Sequence, residues 1–168
     1  MINMVSGGCG YIGSGLVRNL LDKGESVIVV DNISSGFRDS VPNVLLIERD
    51  ISDNLDDIFE TYEIKNVYHL AEKSSVSESV QFPERYLSGN VDTTTALIDT
   101  CVKHNVENFV YSSSAAVYGN SQLPLDEDLK PNPINPYGVA KYMIEEYLKE
   151  VSNTCDMNYY CMRYFNAS

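Results

Sequence analysis

The sequence contains no tryptophan, only two histidines, and 12 lysines and arginines against 24 aspartates and glutamates. A net charge of −12 leaves no basic surface for a nucleic-acid backbone or an anionic membrane. A phosphate-bearing ligand must therefore be held by local backbone amides and a few cations, not by the field of the whole chain. No apolar run approaches the roughly 20 residues needed to cross a bilayer, and the start lacks a signal-peptide pattern. The four cysteines, Cys9, Cys101, Cys155 and Cys161, show no zinc-type spacing, and His69 and His104 lie far apart in the chain. No metal site is expected, both histidines read as structural, and reduced thiols in a cytoplasmic protein are the simplest account. The 12 tyrosines read as packing residues, because the cations that accompany a base-stacking platform are scarce.

What the chain does have is a regular alternation. Its 168 residues, 43% hydrophobic and 21% charged, suit one domain with a real core. Short apolar runs at residues 3–6, 26–30, 44–47, 66–70, 108–112 and 158–163 read as strands. Helix-like segments at about 12–23, 53–62, 84–104 and 136–152 lie between them. Ser52 or Asp53 could cap the second helix, and Pro136 sits well at the start of the fourth. Asp53, Asp56, Asp57 and Glu60 read as a solvated helix face. Residues 126–135, with Pro131 and Pro133, read as a surface loop. The pattern predicts an α/β fold, a doubly wound parallel sheet of the Rossmann type.

The stretch around which this alternation is organised is Val5-Ser6-Gly7-Gly8-Cys9-Gly10-Tyr11-Ile12-Gly13. It joins the first strand to the first helix through G-x-x-G-x-x-G, one residue longer than the usual dinucleotide fingerprint. The first glycine suits a tight turn, the second a close approach to pyrophosphate, and the third close helix–strand packing. The helix that follows aims amide N–H groups and its positive dipole end at the same place. Cys9 reads as a small packing residue, although that helix end could lower its pKa. The second strand ends in Asp31, placed to grip the adenosine ribose hydroxyls and to repel a 2′-phosphate, which favours NAD over NADP. Arg38 keeps NADP open as the lesser alternative.

In such sheets ligands bind beyond the carboxyl ends of the strands. The glycine loop, Asp31, Asp50-Ile51, His69-Leu70-Ala71 and Ser112-Ser113-Ser114 all fall at those ends. On the fourth helix, Tyr137 and Lys141 are four residues apart and share a face. A neighbouring ammonium favours phenolate and tunes the tyrosine for general acid–base work. The serines supply a hydroxyl to orient an alcohol or carbonyl.

In this order and spacing the chain resembles the extended short-chain dehydrogenase/reductase family, most closely its nucleotide-sugar epimerases of the UDP-glucose 4-epimerase type. The resemblance rests on Gly7 to Gly13, Asp31 to Gly36, Asp50-Ile51, His69-Leu70-Ala71 and Asn90-Val91. It continues through Ser112 to Gly119, Pro136 to Lys141 and Arg163-Tyr164-Phe165-Asn166. It implies NAD as cofactor, with Gly7, Gly10, Tyr11 and Ile12 at the pyrophosphate. Asp31, Asn32, Ser35 and Gly36 would lie by the adenosine ribose, and Asp50 and Ile51 by adenine. Leu70, Ala71, Lys73 and Asn90 would line the path to the nicotinamide ribose, and Ser112 and Tyr164 would also touch cofactor. Ser114, Tyr137 and Lys141 would be catalytic, Tyr137 and Lys141 also touching cofactor. Ser114, Tyr137, Phe165 and Asn166 would meet a sugar nucleotide.

The implied reaction is epimerisation at sugar C4 through a transient 4-keto intermediate. Ala115 and Ala116 stand where related dehydratases carry an acidic pair, which argues against dehydration. A UDP-glucuronate epimerase or decarboxylase, and a non-catalytic or truncated NAD-binding module, are the alternatives. Gly15 replaces a usual histidine, Thr93 a usual glycine, and Glu72 a usual small residue, the last adding negative charge near the cofactor path. Family members are about twice this length, so residues 1–168 are expected to form the NAD-binding domain, with the C-terminal substrate lobe absent or truncated. The third and fourth helices carry apolar residues beyond one face's needs (Leu97, Ile98, Cys101, Val102; Met143, Ile144, Tyr147, Leu148). The resemblance pairs these helices across a two-fold axis, so a homodimer is expected.

Overall fold

A computed structural model describes residues 2–41 and 43–167. Its centre is a six-stranded, wholly parallel sheet in the order β3-β2-β1-β4-β5-β6. The strands are β1 (Ile2–Ser6), β2 (Ser26–Asp31), β3 (Leu45–Glu48), β4 (Ile64–His69), β5 (Asn108–Ser114) and β6 (Asn158–Tyr164). β1 and β2 are almost wholly buried, with both faces covered, and their interior residues are mostly apolar. Met4, Val30, Val67 and Phe109 pack with Leu97, Ile98, Ile144 and Leu148 on one side. Val5, Val27 and Val29 pack with Val17 and Leu20 on the other. The strand order reverses between β1 and β4, so a crevice opens at their carboxyl ends.

An asparagine ladder fixes the register at the opposite end. Asn66 Nδ2 donates to Asn3 Oδ1 at 2.8 Å, Asn108 Nδ2 to Asn66 Oδ1 at 2.7 Å, and Asn158 Nδ2 to Asn108 Oδ1 at 3.2 Å. These residues are paired neighbours on β1, β4, β5 and β6.

The helices are α1 (Tyr11–Asp22), α2 (Asp56–Thr61), α3 (Val76–Gln81), α4 (Val91–Lys103) and α5 (Pro136–Ser152). Three differ from the sequence reading. The second is shorter than 53–62, and neither Ser52 nor Asp53 caps it; Leu55 holds the cap position. Both candidates are engaged at Asp50 instead: Ser52 donates to its carboxylate through N–H and hydroxyl, and Asp53 accepts from its amide. The segment at 84–104 opens with a wide π-helical stretch, Arg85–Asn90, before α4 proper. The unanticipated α3 is capped by Ser75, whose Oγ accepts from the Glu78 amide at 3.2 Å.

Two surface readings also change. Asp56 is not merely solvated: it accepts from Lys103 at 2.7 Å and His104 at 2.8 Å, tying α2 to the end of α4. The apolar excess on α4 and α5 is mostly spent inside, since Leu97, Ile98, Cys101, Ile144 and Leu148 are core. Val102 and Tyr147 are half-buried, and Met143 is exposed.

Candidate active site

The phosphate end is built from the glycine loop and α1. Gly7 adopts φ +75°, and a Cβ there would stand 2.7 Å from the Ala71 nitrogen and the Leu70 carbonyl carbon. A Cβ on Gly13 would stand 2.2 Å from the Gly7 oxygen, so α1 can seat on the loop only without a side chain. No side chain caps α1 and its first turn holds no acid. Its leading N–H groups, at Tyr11 and Ile12, therefore lack intrahelical acceptors and face outward as a ready anion site. This cradle, which side chains would fill, fits a dinucleotide pyrophosphate.

Asp31 is buried and accepts from the Cys9 amide at 2.9 Å and the Ile33 amide at 2.7 Å. It thereby ties the glycine loop to the end of β2, with carboxylate lone pairs still open to two ribose hydroxyls. Arg38, the cation that could favour a 2′-phosphate, is paired with Glu48. Cys9 is indeed a packing residue, 2% exposed. Burial and the nearby Asp31 carboxylate raise its thiol pKa, against a smaller lowering by the Arg38 guanidinium. Asn32 donates to Asp50 at 2.6 Å and Ser35 is exposed beside Gly36. Asp50 is held below the usual carboxylate range by the Ser52 N–H and hydroxyl, next to the buried Ile51.

The loop after β4 carries Leu70, Ala71, Glu72 and Lys73. Buried Asn90 pins it by accepting from the Lys73 amide at 3.3 Å and donating to the Lys73 carbonyl at 2.9 Å. Tyr137 and Lys141 lie on buried turns of α5, started by Asn135, whose Oδ1 accepts from the Gly138 amide at 2.8 Å. The Tyr137 ring is buried edge-on against Tyr86, with centroids 6.2 Å apart. Lys141 Nζ lies 5.6 Å from the Tyr137 ring centroid and 4.8 Å from that of Tyr111. It donates to the Ser112 carbonyl and to Glu72, leaving one of its three N–H groups free. Ser114 ends β5 opposite Tyr164 on β6, and its Oγ accepts from the Ala116 amide at 3.1 Å. The structure thus brings Ser112, Ser114, Tyr137, Lys141 and Tyr164 to one edge of the sheet. Phe165 and Asn166 follow β6, both exposed. Phe165 borders an open cleft of about 560 Å³ with Tyr118, Arg163 and Tyr164.

Several residues of this site had no local sequence signal. Glu145, buried on α5, takes Arg163 in a paired contact at 2.7 and 3.0 Å, while Ser113 donates to the same carboxylate. Arg163 also donates to the Tyr118 hydroxyl at 2.9 Å. This knot joins α5, β5 and β6. Glu72, expected near the pyrophosphate, is instead turned inward, its side chain 3% exposed. It accepts from Thr94 at 2.9 Å, Tyr111 at 3.2 Å, and Lys141. Among the described residues, no group of three or more metal-ligating side chains is gathered, and no helix is long and apolar enough to cross a membrane.

Comparison with known proteins places these features in one family. A UDP-glucose 4-epimerase of Halalkalibacterium halodurans is 42% identical over all of this chain and 51% of its own length. The UDP-glucose 4-epimerase of Brucella ovis, solved in complex with NAD, superposes with a TM-score of 0.96 at 38% identity, over 99% of this chain and 52% of that one. The Thermotoga maritima UDP-glucose 4-epimerase, solved with UDP-glucose, gives 0.94 at 38% identity over 99% and 56%. The chain therefore spans about half the length of the relatives it matches. The sequence signature of the NAD dependent epimerase/dehydratase family runs across residues 3–168, and to that family this chain belongs.

Proposed function

We propose that residues 1–168 form the NAD-binding domain of a nucleotide-sugar 4-epimerase and carry its acid–base residues. One observation carries the reading: an uncapped helix end in a side-chain-free cradle shares a sheet edge with Ser114, Tyr137 and Lys141. Gly7, Gly10, Tyr11 and Ile12 would hold the pyrophosphate. Asp31, Asn32, Ser35 and Gly36 would face the adenosine ribose, and Asp50 and Ile51 the adenine. Leu70, Ala71, Lys73, Asn90, Ser112 and Tyr164 would border the nicotinamide side. When bound, NAD supplies the acceptor for the hydride at sugar C4 and its return to the other face.

The chain's own residues supply the proton chemistry and the positioning. Tyr137, as phenolate, would take the proton from the C4 hydroxyl, and the phenol hydroxyl so formed would give it back. The Lys141 ammonium, held beside it by the Ser112 carbonyl and Glu72, favours the phenolate. Ser114 orients the sugar oxygen, with Phe165 and Asn166 contributing to the sugar-nucleotide side. The flanking Ala115 and Ala116 offer no acid for elimination. Uncombined thiols at all four cysteines suit a cytoplasmic enzyme, and self-association into a homodimer through α4 and α5 completes the proposal.

The test follows interconversion of UDP-glucose and UDP-galactose, with UDP-glucuronate as a parallel substrate, in a chain extended to the length of its relatives. Tyr137→Phe should lower turnover by about 10²–10⁴-fold, the usual contribution of an acid–base group, while NAD still binds. Full turnover by that variant would remove the tyrosine from its role.

A further inference from the structure

Glu72 leaves the loop between Ala71 and Lys73, two residues assigned to the cofactor path, yet points away from it. A carboxylate can only accept hydrogen bonds, and this fixes a one-way chain beneath the site. The Thr94 hydroxyl donates to Glu72 Oε1 at 2.9 Å, so His69 Nε2–H donates to Thr94 at 2.9 Å. His69 Nδ1 then accepts from the Ser6 hydroxyl at 2.7 Å. Tyr111 and Lys141 complete the ring of donors around Glu72. The side chains of Glu72 and Lys141 are 3% and 4% exposed, so neither charge is screened by bulk water. One buried ammonium is thus matched by one buried carboxylate.

From this pairing we infer that Glu72 sets the preference of the site for oxidised over reduced NAD. The inference rests on the reading above, in which Lys141 serves the nicotinamide end. The oxidised nicotinamide carries a positive charge, and accepting a hydride, two electrons and one proton, makes it neutral. A fixed charge nearby therefore acts on one form of the cofactor and not the other. Lys141 alone would weaken the oxidised form selectively, and Glu72 cancels that bias. A small residue at position 72, usual by the resemblance, would leave the ammonium unmatched. Glu72 is a positioning residue here: it acts by holding Lys141 and by its field.

Calorimetric titration of the 168-residue chain with NAD⁺ and with NADH tests this, each variant first checked for folding by circular dichroism. Glu72→Gln keeps the shape and removes the charge. It should raise the ratio of the NAD⁺ to the NADH dissociation constant about tenfold, the order produced by one charge across about a nanometre at an effective dielectric constant of about 20. Lys141→Met should move the ratio the other way, and the double variant should return it to within about threefold of wild type, by the logic of a double-mutant cycle. Thr94→Val, which removes a hydrogen bond but no charge, should leave the ratio alone. Should Glu72→Gln not fold, the double variant set against Lys141→Met reads the same charge, since replacing a buried pair together is usually tolerated. Equal weakening of both cofactor forms on loss of the Glu72 charge would make Glu72 merely structural and overturn the inference. Failure of the wild type to bind either form would overturn the cofactor reading, and this inference with it.

Discussion

His69 is completely buried, and both of its ring nitrogens are bonded inside the protein. Burial depresses its pKa to about 4; the Glu72 carboxylate pulls it up and the Lys141 ammonium pushes it down, both to a lesser extent. The folded chain therefore keeps the imidazole neutral, whereas an unfolded histidine titrates near pH 6.5 (about that value in model peptides). The folded pKa lies below the unfolded one, so the unfolded chain binds the extra proton first as pH falls. The stability tied to this residue is whole above about pH 6.5 and drains away between there and pH 4. Between pH 7.5 and 4.5 the loss comes to about 2 kcal/mol. Urea unfolding of wild type and His69→Gln at those two pH values measures it: the wild type should lose about 2 kcal/mol more than the variant. Equal losses would mean that the histidine titrates alike in both states.

At the scale of elements, the position of α5 decides where Tyr137 and Lys141 stand. A Cβ on Gly138 would lie 2.6 Å from the Ala116 oxygen and 3.1 Å from the Ala116 carbon, so the first turn of α5 rests directly on the backbone that follows Ser114. Gly138→Ala should cost about 1–3 kcal/mol of stability, as overpacking does, and displace Tyr137 and Lys141. Gly15, exposed on α1, has nothing within 4 Å of such a Cβ. Gly15→Ala should instead add up to about 1 kcal/mol through helix propensity. Denaturant melts of the two variants should shift in opposite directions, and a neutral Gly138→Ala would show that α5 can give way. These elements were legible to different degrees. The strands could be read because each carries a short apolar run where it crosses the core, and α5 because Pro136 announces its start. The short α3 escaped because Val76–Gln81 is largely polar and mostly exposed; its signal was the Ser75 to Glu78 capping spacing. The asparagines near the starts of β1, β4, β5 and β6 could be seen in the sequence, but their pairing depends on register. Glu72 and Lys141 are 69 positions apart, so sequence could flag the odd charge without finding its partner.

At the scale of the whole molecule, the question is which apolar surface a second copy would use. The expected patch on α4 and α5 is smaller than the sequence suggested, because its large residues fill the core and Tyr147 is turned to donate to Asp99 across the two helices. Met143 at 46% exposure is its main apolar feature. A competing surface lies on β6, the outermost strand, where Tyr160, Met162 and the following Phe165 are 52%, 47% and 67% exposed. An outer strand with exposed apolar side chains invites edge-to-edge pairing, which has no reason to stop at two copies. The two routes differ in stoichiometry and in which substitution blocks them. If α4 and α5 form the two-fold interface, light scattering on the chain should give one discrete dimer mass. Met143→Glu should split it to monomer, by placing like charges face to face across the axis, while Met162→Lys should leave it intact. A broad distribution of larger species that Met162→Lys disperses would assign association to β6 and overturn the helical interface. A monomer mass alone, held up to high concentration, would also overturn it.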